Sequence, residues 1–141
     1  MRLVKIFLAA CLLSIGLAQA AHATVLVKVD KSDQIMRVYV EGELRHVWPV
    51  STGRGRYNTP NGSYRPYVLS RYHRSRKYDN APMPYSIFYR GGYAIHGTYA
   101  VRRLGTRASH GCVRLHIANA RELYRLVRYF GKHETRIVIR P

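Results

Sequence analysis

The sequence predicts a mostly β domain with a single helix that follows its only cysteine motif. Alternating apolar residues at Val25, Val27 and Val29, and a β-branched and aromatic run over residues 35–40, are typical of strands. Over residues 117–130 apolar residues recur three or four positions apart with arginines between them, which is typical of an amphipathic helix. The change of period marks one helix in a chain otherwise patterned as strands.

The other predicted elements follow in chain order. Gly42 permits a tight two-residue turn, so residues 44–50 are predicted to form a hairpin with the strand before it. The helix is predicted to end at Gly131. The segment from Ser70 to Pro84 is long, basic and too polar for a core, so we expect a loop or lid over the functional site. Further short strands are predicted at residues 63–69, 86–89, 93–96 and 135–139.

The first 23 residues have the pattern of a cleaved signal peptide. Arg2 and Lys5 precede an apolar run over residues 6–17, and small residues suited to cleavage follow at 18–23. The run is shorter than the roughly 20 apolar residues that cross a bilayer, so no transmembrane anchor is expected. We therefore expect residues 24–141 to be exported to the periplasm or cell envelope as one domain.

The exported part is strongly basic. Loss of Arg2 and Lys5 lowers the number of Lys and Arg residues from 24 to 22, against 7 Asp and Glu, and leaves a net charge of +15. Such a charge favours a polyanionic partner. Nucleic acid is a common partner of basic, tyrosine-rich proteins, but export argues against it. We expect adhesion to anionic envelope polymers or head groups, and a solvated surface without a specific partner is the alternative.

Cys112 is the only cysteine left once the signal peptide, which holds Cys11, is removed. An unpaired cysteine in an oxidising compartment is normally kept for its reactivity. Its surroundings, SHGCVR at residues 109–114, are polar and fit a buried structural cysteine poorly. The sequence therefore predicts a thiolate nucleophile.

A cysteine with an ordinary pKa of about 8.5 is mostly protonated at neutral pH, so Cys112 needs a base or a positive environment. In an extended segment His110, Cys112 and Arg114 share one face. His96 arrives from a separate strand and reaches the sulfur without straining the backbone, which favours it as general base. Gly111 leaves room for a substrate carbonyl, so a nearby backbone N–H such as that of Cys112 can stabilise an oxyanion.

A zinc site formed by His96, His110, Cys112 and His116 is an alternative for the same residues. Structural zinc sites usually show paired CxxC or HxxxH spacings, and this chain has neither. A hydrogen-bonded histidine at a strand end is the corresponding alternative for His96. We therefore expect neither a metal nor another cofactor.

A specific pattern combines Met83-Pro84-Tyr85 with AIHGT at 94–98 and LGTRASHGCVRL at 104–115. Together with VSTG at 50–53 and TPNGSY at 59–64, it resembles the L,D-transpeptidase catalytic domain of the YkuD type. The resemblance covers residues 25–140 and implies a β-sandwich-like fold for the domain at 24–141.

The resemblance also implies acyl transfer on peptidoglycan. Cys112 would attack the carbonyl of the diamino acid at the third position of a donor stem peptide and expel the terminal D-alanine. His96 would donate and accept the proton, oriented through the backbone carbonyl of Gly97. The resemblance implies His110 as a further catalytic residue and implies substrate binding by Arg114, Ser109, Gly111 and Tyr85.

The identity of the acyl acceptor stays open at this level. The thioester would pass to an amine on another stem peptide or on an envelope protein, and we expect a monomer that finds the wall by its own charge. A hydrolase, either an L,D-carboxypeptidase or an endopeptidase, would use water instead of the amine. The sequence does not separate the hydrolase from the transpeptidase, because the pocket and not the nucleophile selects the acceptor. A non-catalytic basic module that binds the envelope is a third possibility.

Overall fold

The computed structural model describes residues 22–141; the predicted signal peptide lies outside the described residues except for residues 22 and 23. No helix within residues 22–141 is long and apolar enough to cross a membrane. The helices are α1 at Ile117–Phe130 and a short 3-10 helix at Val101–Arg103. The strands are β1 Val25–Asp30, β2 Ile35–Val40, β3 Glu43–Pro49, β4 Gly62–Tyr64, β5 Val68–Arg74, β6 Pro82–Arg90, β7 Tyr93–Thr98, β8 Val113–His116 and β9 Thr135–Arg140.

The first sheet has the strand order β3-β2-β1-β9-β4, in which β1 is antiparallel to β2 and parallel to β9. The turn between β2 and β3 holds Glu41 at φ 51° and Gly42 at φ 83°. Two successive positive φ values are those of the turn that matches the twist of paired strands. The hairpin predicted around Gly42 is therefore confirmed.

The second sheet has the order β5-β6-β7-β8, and α1 packs mainly against β6 and β7. Fully buried side chains from both sheets and from α1 form one core, with Val27 and Ile137 from the first sheet, Ile95 from the second and Leu123 from the helix. Burial of these apolar side chains is the main source of stability. The predicted mostly β fold with one helix, resembling a sandwich of two sheets, is confirmed.

The prediction of a loop or lid over residues 70–84 was wrong for most of that segment. β5 continues to Arg74 and β6 begins at Pro82, so these residues form a long hairpin with a turn at 75–81. Antiparallel pairing satisfies the backbone while one face stays in water. The polarity that excludes a core position therefore does not exclude a strand.

The strand predicted at residues 63–69 is divided between the two sheets. β4 ends at Tyr64 and pairs with β9, whereas β5 begins at Val68 and pairs with β6. Pro66 lies between them, and proline has no N–H to continue a ladder. The four-residue β8 was not predicted as a strand; its parallel pairing with β7 positions the candidate site.

Candidate active site

Parallel pairing of β7 with β8 brings Cys112 and His96 together. In this register His96 lies opposite Arg114, and Cys112 immediately precedes β8. The thiol packs against Ala94 of β7, whose backbone N–H favours the ionised form of the sulfur. Both Cys112 and His96 line one cavity of about 230 Å³. A histidine from a separate strand therefore faces the same space as the sulfur, which is the arrangement a cysteine nucleophile and its base require.

The hydrogen bond of His96 to its neighbour's backbone defines its tautomer. Its Nδ1 lies 2.7 Å from the carbonyl oxygen of Gly97. Because a carbonyl only accepts, Nδ1 carries the proton and Nε2 of the neutral ring keeps its lone pair. Burial, together with the charge of Arg114, lowers the pKa of His96 to about 4 despite the opposing effect of the Gly97 carbonyl. At neutral pH the ring is thus an acceptor, the form that a general base needs.

The Cys112 thiol is protonated in the free protein. Burial raises its pKa, and the Ala94 N–H and the Arg114 charge offset only part of that rise. The sulfur lies 3.9 Å from the carbonyl oxygen of Gly92, a contact suited to an S–H donor. The resting pair is therefore a neutral thiol and a neutral imidazole, and the proton has to move when a substrate binds.

Alkylation of Cys112 is expected to be slow at pH 7 and to accelerate only above the usual titration range of cysteine. The reason is that a raised pKa keeps the reactive thiolate scarce until the pH is high. Arg114→Gln should move the midpoint further upward because it removes a cation, and Arg114→Lys should preserve most of the effect. Rates of iodoacetamide labelling against pH, followed by mass spectrometry, measure the midpoint. A midpoint at or below that of free cysteine would contradict this view.

Ser109 and Gly111 fix the backbone that carries Cys112. The Ser109 hydroxyl donates to the Cys112 carbonyl at 2.6 Å and accepts from the Gly111 N–H at 3.0 Å. Ser109 is fully buried. Gly111 has φ +119°, and a β-carbon there would lie 2.7 Å from the Tyr93 ring. These contacts give both residues a positioning role; direct contact with substrate stays a prediction for them.

Replacing Gly111 with alanine is expected to lower the free energy of unfolding by about 2 to 4 kcal/mol, because the new methyl group adds a clash with Tyr93 to the cost of positive φ. Gly131→Ala is the matched control. Gly131 has a similar φ of +102° but nothing within 4 Å of a built β-carbon, so the expected loss is about 1 to 2 kcal/mol. Urea unfolding followed by circular dichroism gives both values; equal losses would refute the role of the Tyr93 contact.

Two residues that the sequence analysis did not single out support the same loop. The Thr59 hydroxyl donates to the Gly111 carbonyl at 2.8 Å and accepts from the Gly53 N–H at 2.9 Å. Lys31, which is 4% exposed, donates from Nζ to the Thr59 carbonyl at 2.8 Å. The only sequence signal for Thr59 was its place in TPNGSY, and Lys31 had none, because its position follows a strand in a polar turn.

His110 lies at the mouth of the cavity between aromatic rings. Tyr78 stacks on it at 4.2 Å between centroids, and Tyr57 meets it edge-on at 4.7 Å. Arg54 Nη2 lies 3.4 Å from its Nε2. Partial burial, followed by the charges of Arg54 and other nearby cations, lowers the pKa of His110. These contacts favour a role in shaping the entrance, with His96 as the base.

Tyr78 belongs to the turn at 75–81 between β5 and β6, which also contributes Ser75 and Ala81 to the wall of the cavity. This turn reaches over the site, as predicted for the basic segment, although strands flank it. The covering part is therefore limited to the tip of the hairpin.

Arg114 is the cation within the cavity wall. Its backbone exchanges two hydrogen bonds with Ser51, at 2.9 and 3.0 Å, which anchor the strand. Its Nη1 lies 3.5 Å from the Ala108 carbonyl oxygen. Among residues 22–141 no carboxylate forms an ion pair with it. Its guanidinium is therefore free to bind a carboxylate of a substrate.

Tyr85, which the resemblance implied for substrate binding, does not line this cavity. Its φ of +56° breaks the alternation of side chains along β6. As a result the ring packs edge-on against Tyr124 of α1, with centroids 5.6 Å apart, and lines a different cavity. The sequence interpretation relied on the motif and had no signal for this turn of the backbone.

The residues of the alternative zinc site are not gathered around one point. His116 uses Nδ1 to accept from the Ala118 N–H at 3.1 Å, which caps the N-terminus of α1. Within residues 22–141 no group of three or more His, Cys, Asp or Glu side chains has a geometry suited to a metal ion.

Comparison with protein families matches residues 24–139 to the L,D-transpeptidase catalytic domain, YkuD. No curated protein matches the chain significantly by sequence. An L,D-transpeptidase from Mycobacterium tuberculosis H37Rv is 23% identical with a TM-score of 0.75, over 84% of this chain and 58% of that one. The L,D-transpeptidase (Yku) from Stackebrandtia nassauensis is 27% identical with a TM-score of 0.75, over 91% and 60%. The chain thus spans about 60% of these solved structures.

Proposed function

Because the chain belongs to the L,D-transpeptidase catalytic domain family, we propose that it cross-links peptidoglycan by transferring a stem peptide through a Cys112 thioester to an amine. The observation that carries the proposal is the shared cavity, in which the Cys112 thiol faces the same space as a neutral His96 whose Nε2 can accept a proton. The family supplies the substrate class, and the cavity supplies the chemistry.

In the first half of the proposed reaction, His96 Nε2 takes the thiol proton as Cys112 Sγ attacks the carbonyl carbon of the third stem residue. The tetrahedral intermediate collapses with cleavage of the amide bond to the terminal D-alanine. His96 returns the proton to the departing amine, and a thioester remains. The Gly97 carbonyl stabilises the imidazolium while it exists. Because the pKa of His96 is about 4, this imidazolium gives up its proton readily.

In the second half an amine attacks the thioester. His96 removes a proton from this amine, a new amide bond forms, and Cys112 leaves as a thiolate that is then reprotonated. We propose an amine of another stem peptide as acceptor, with an amine of an envelope protein as a variant of the same step. Arg114 at the cavity wall would pair with a stem carboxylate and fix the donor in register.

The proposed substrate lies outside the cytoplasm, so we also propose that residues 1–23 direct export and that the domain acts in the periplasm or cell envelope as a monomer. The family's peptidoglycan activity supports an extracytoplasmic location. Export can be tested with a fusion of residues 1–23 to a reporter that is active only outside the cytoplasm.

Incubation of the protein with tetrapeptide stems, with and without an added amine acceptor, tests the proposed activity by mass spectrometry. Cross-linked dimers support the transpeptidase, whereas tripeptides alone indicate the hydrolase. The absence of both products would indicate the non-catalytic binder. One similar structure is an L,D-transpeptidase in complex with imipenem. We therefore expect an imipenem adduct on this chain too, located at Cys112 by peptide mapping and absent from Cys112→Ala.

The tip of the β5–β6 hairpin is expected to bind the wall by charge. Arg74, Arg76 and Lys77 are exposed, so their attraction to a polyanion is screened beyond a Debye length of ~10 Å at 0.1 M salt. Binding to purified sacculi should weaken steeply as salt rises, and replacing all three by glutamine should reduce binding and slow the reaction on sacculi. Turnover of a small soluble stem should change far less. Equal losses on both substrates would place these residues in the substrate site instead.

A further inference from the structure

A second cavity, of about 390 Å³, lies between α1 and the strands β5 and β6. It shares no lining residue with the cavity of Cys112. Arginine and tyrosine make up its entire wall: Arg71, Arg121, Arg125 and Arg128, with Tyr85, Tyr124 and Tyr129. The proposed transpeptidation uses none of these side chains.

The spacing along α1 places three of the arginines together. Arg121, Arg125 and Arg128 are separated by four and three positions, so they lie on one side of the helix. Like charges at this spacing destabilise a helix. Arg71 of β5 adds a fourth cation from across the cavity. The fold thus gathers four guanidinium groups around one cavity.

Within residues 22–141 an ion pair neutralises only one of these four charges. Glu122 accepts from Arg125 at 3.0 Å through Nε and at 2.8 Å through Nη2, a two-point ion pair. The same carboxylate lies 3.8 Å from His46. Within the part of the chain that the structure describes, no carboxylate forms an ion pair with Arg71, Arg121 or Arg128. Three guanidinium groups therefore border one cavity without a counter-charge.

Three tyrosine rings form the aromatic part of the cavity wall. Tyr124 is buried at the base, and Tyr85 packs edge-on against it with centroids 5.6 Å apart. The Arg71 guanidinium lies 5.7 Å from the centroid of the Tyr85 ring, within range of a cation–π interaction. Tyr129 is 78% exposed and forms the open side. The cavity therefore presents ring faces to the frame of a ligand and guanidinium groups to its charges.

We propose that this cavity is a binding site for a polyvalent oxyanion, a ligand that carries two or more phosphate or carboxylate groups on a small organic frame. Guanidinium groups bind both kinds of oxyanion through paired N–H donors. Three unpaired cations match a ligand of two or three negative charges better than a single carboxylate. The proposal goes beyond the transpeptidase activity and does not depend on it.

Calorimetric titration of the whole exported chain at low salt tests the proposal, with pyrophosphate and citrate as separate probes. We expect saturable 1:1 binding to the unaltered protein, weakened at least about tenfold in the double variant Arg121→Gln/Arg128→Gln because it loses charged hydrogen bonds. Arg102→Gln/Arg103→Gln is the charge-matched control, since these exposed arginines line neither cavity. A stronger response to pyrophosphate identifies a phosphate ligand, and a stronger response to citrate identifies a carboxylate ligand.

NMR locates the bound probe. Aromatic resonances of Tyr85 and Tyr124 should shift on titration, while those of Tyr78, beside the cavity of Cys112, should not. Equal weakening of probe binding in both double variants would mean that binding depends only on net charge, and this would overturn the proposal. The proposal would also be overturned if neither probe bound saturably, or if the NMR shifts were confined to Tyr78. Turnover of a soluble stem peptide should be unchanged in Arg121→Gln/Arg128→Gln, so failure of this proposal leaves the transpeptidase proposal standing.

Discussion

Cys112→Ser is expected to abolish turnover of stem peptides, by at least about 10⁴-fold, while the fold stays intact. The serine hydroxyl holds its proton far more tightly than a thiol, and His96, whose pKa is about 4, is too weak a base to remove it. The exchange alters one atom and breaks no disulfide among residues 22–141, of which Cys112 is the only cysteine. Loss of activity would therefore report on chemistry and not on folding.

The measurement is single-turnover mass spectrometry of a tetrapeptide stem, together with thermal unfolding of both proteins. Cys112→Ala provides the matched control, since it removes the nucleophilic atom altogether and leaves a small apolar side chain beside Met83 and Phe88. Both variants should be inactive and should unfold near the temperature of the unaltered protein. Substantial turnover by the serine variant would mean that another residue forms the acyl-enzyme.

Cys112 and His96, the proposed nucleophile and base, could be singled out from the sequence because each has a local signal. Cys112 stands out as the unpaired thiol in a polar segment, and His96 belongs to the strand-like AIHGT. The structure brings both into one cavity. The helix at 117–130 and the turn at Gly42 were predictable for the same reason, since hydrophobic period and turn chemistry involve only neighbours in the chain.

Features that depend on distant contacts could not be predicted in this way. Lys31 and Thr59 support the Cys112 loop through hydrogen bonds that span 28 and 52 residues. Tyr85 does not line the cavity of Cys112, because its backbone takes a positive φ that a tyrosine gives no reason to expect. The polar sequence of β5 predicts a loop, because its strand conformation depends on pairing with β6.

The direction in which the pKa of Cys112 shifts could not be predicted from the sequence either. A cysteine among histidines and arginines suggests a thiolate stabilised by positive charge. Burial of the sulfur, which packs against Met83, Phe88 and Ala94 of β6 and β7, outweighs Arg114 and raises the pKa of Cys112 instead. The proposed catalysis therefore depends more on His96 than the sequence alone suggested, and the replacement of His96 becomes a decisive experiment.

His96→Ala is expected to lower kcat by on the order of 10² to 10⁴, with a smaller change in KM, because it removes the proton acceptor and leaves the rest of the cavity in place. The pH profile gives an independent signature. In the unaltered enzyme kcat/KM should fall as the pH drops through about 4, where His96 becomes protonated and can no longer accept a proton. In His96→Ala this dependence should disappear from the residual activity.

His110→Ala is the matched comparison, since it removes a second imidazole that borders the same cavity. Its ring contacts are with Tyr78, Tyr57 and Arg54, so its loss should disturb the entrance and raise KM more than it lowers kcat. The acid dependence near pH 4 should persist in this variant because His96 is still present. An inactive His110→Ala beside a nearly normal His96→Ala would transfer the role of general base to His110, and the neutral Nε2 of His96 would then have only a structural part.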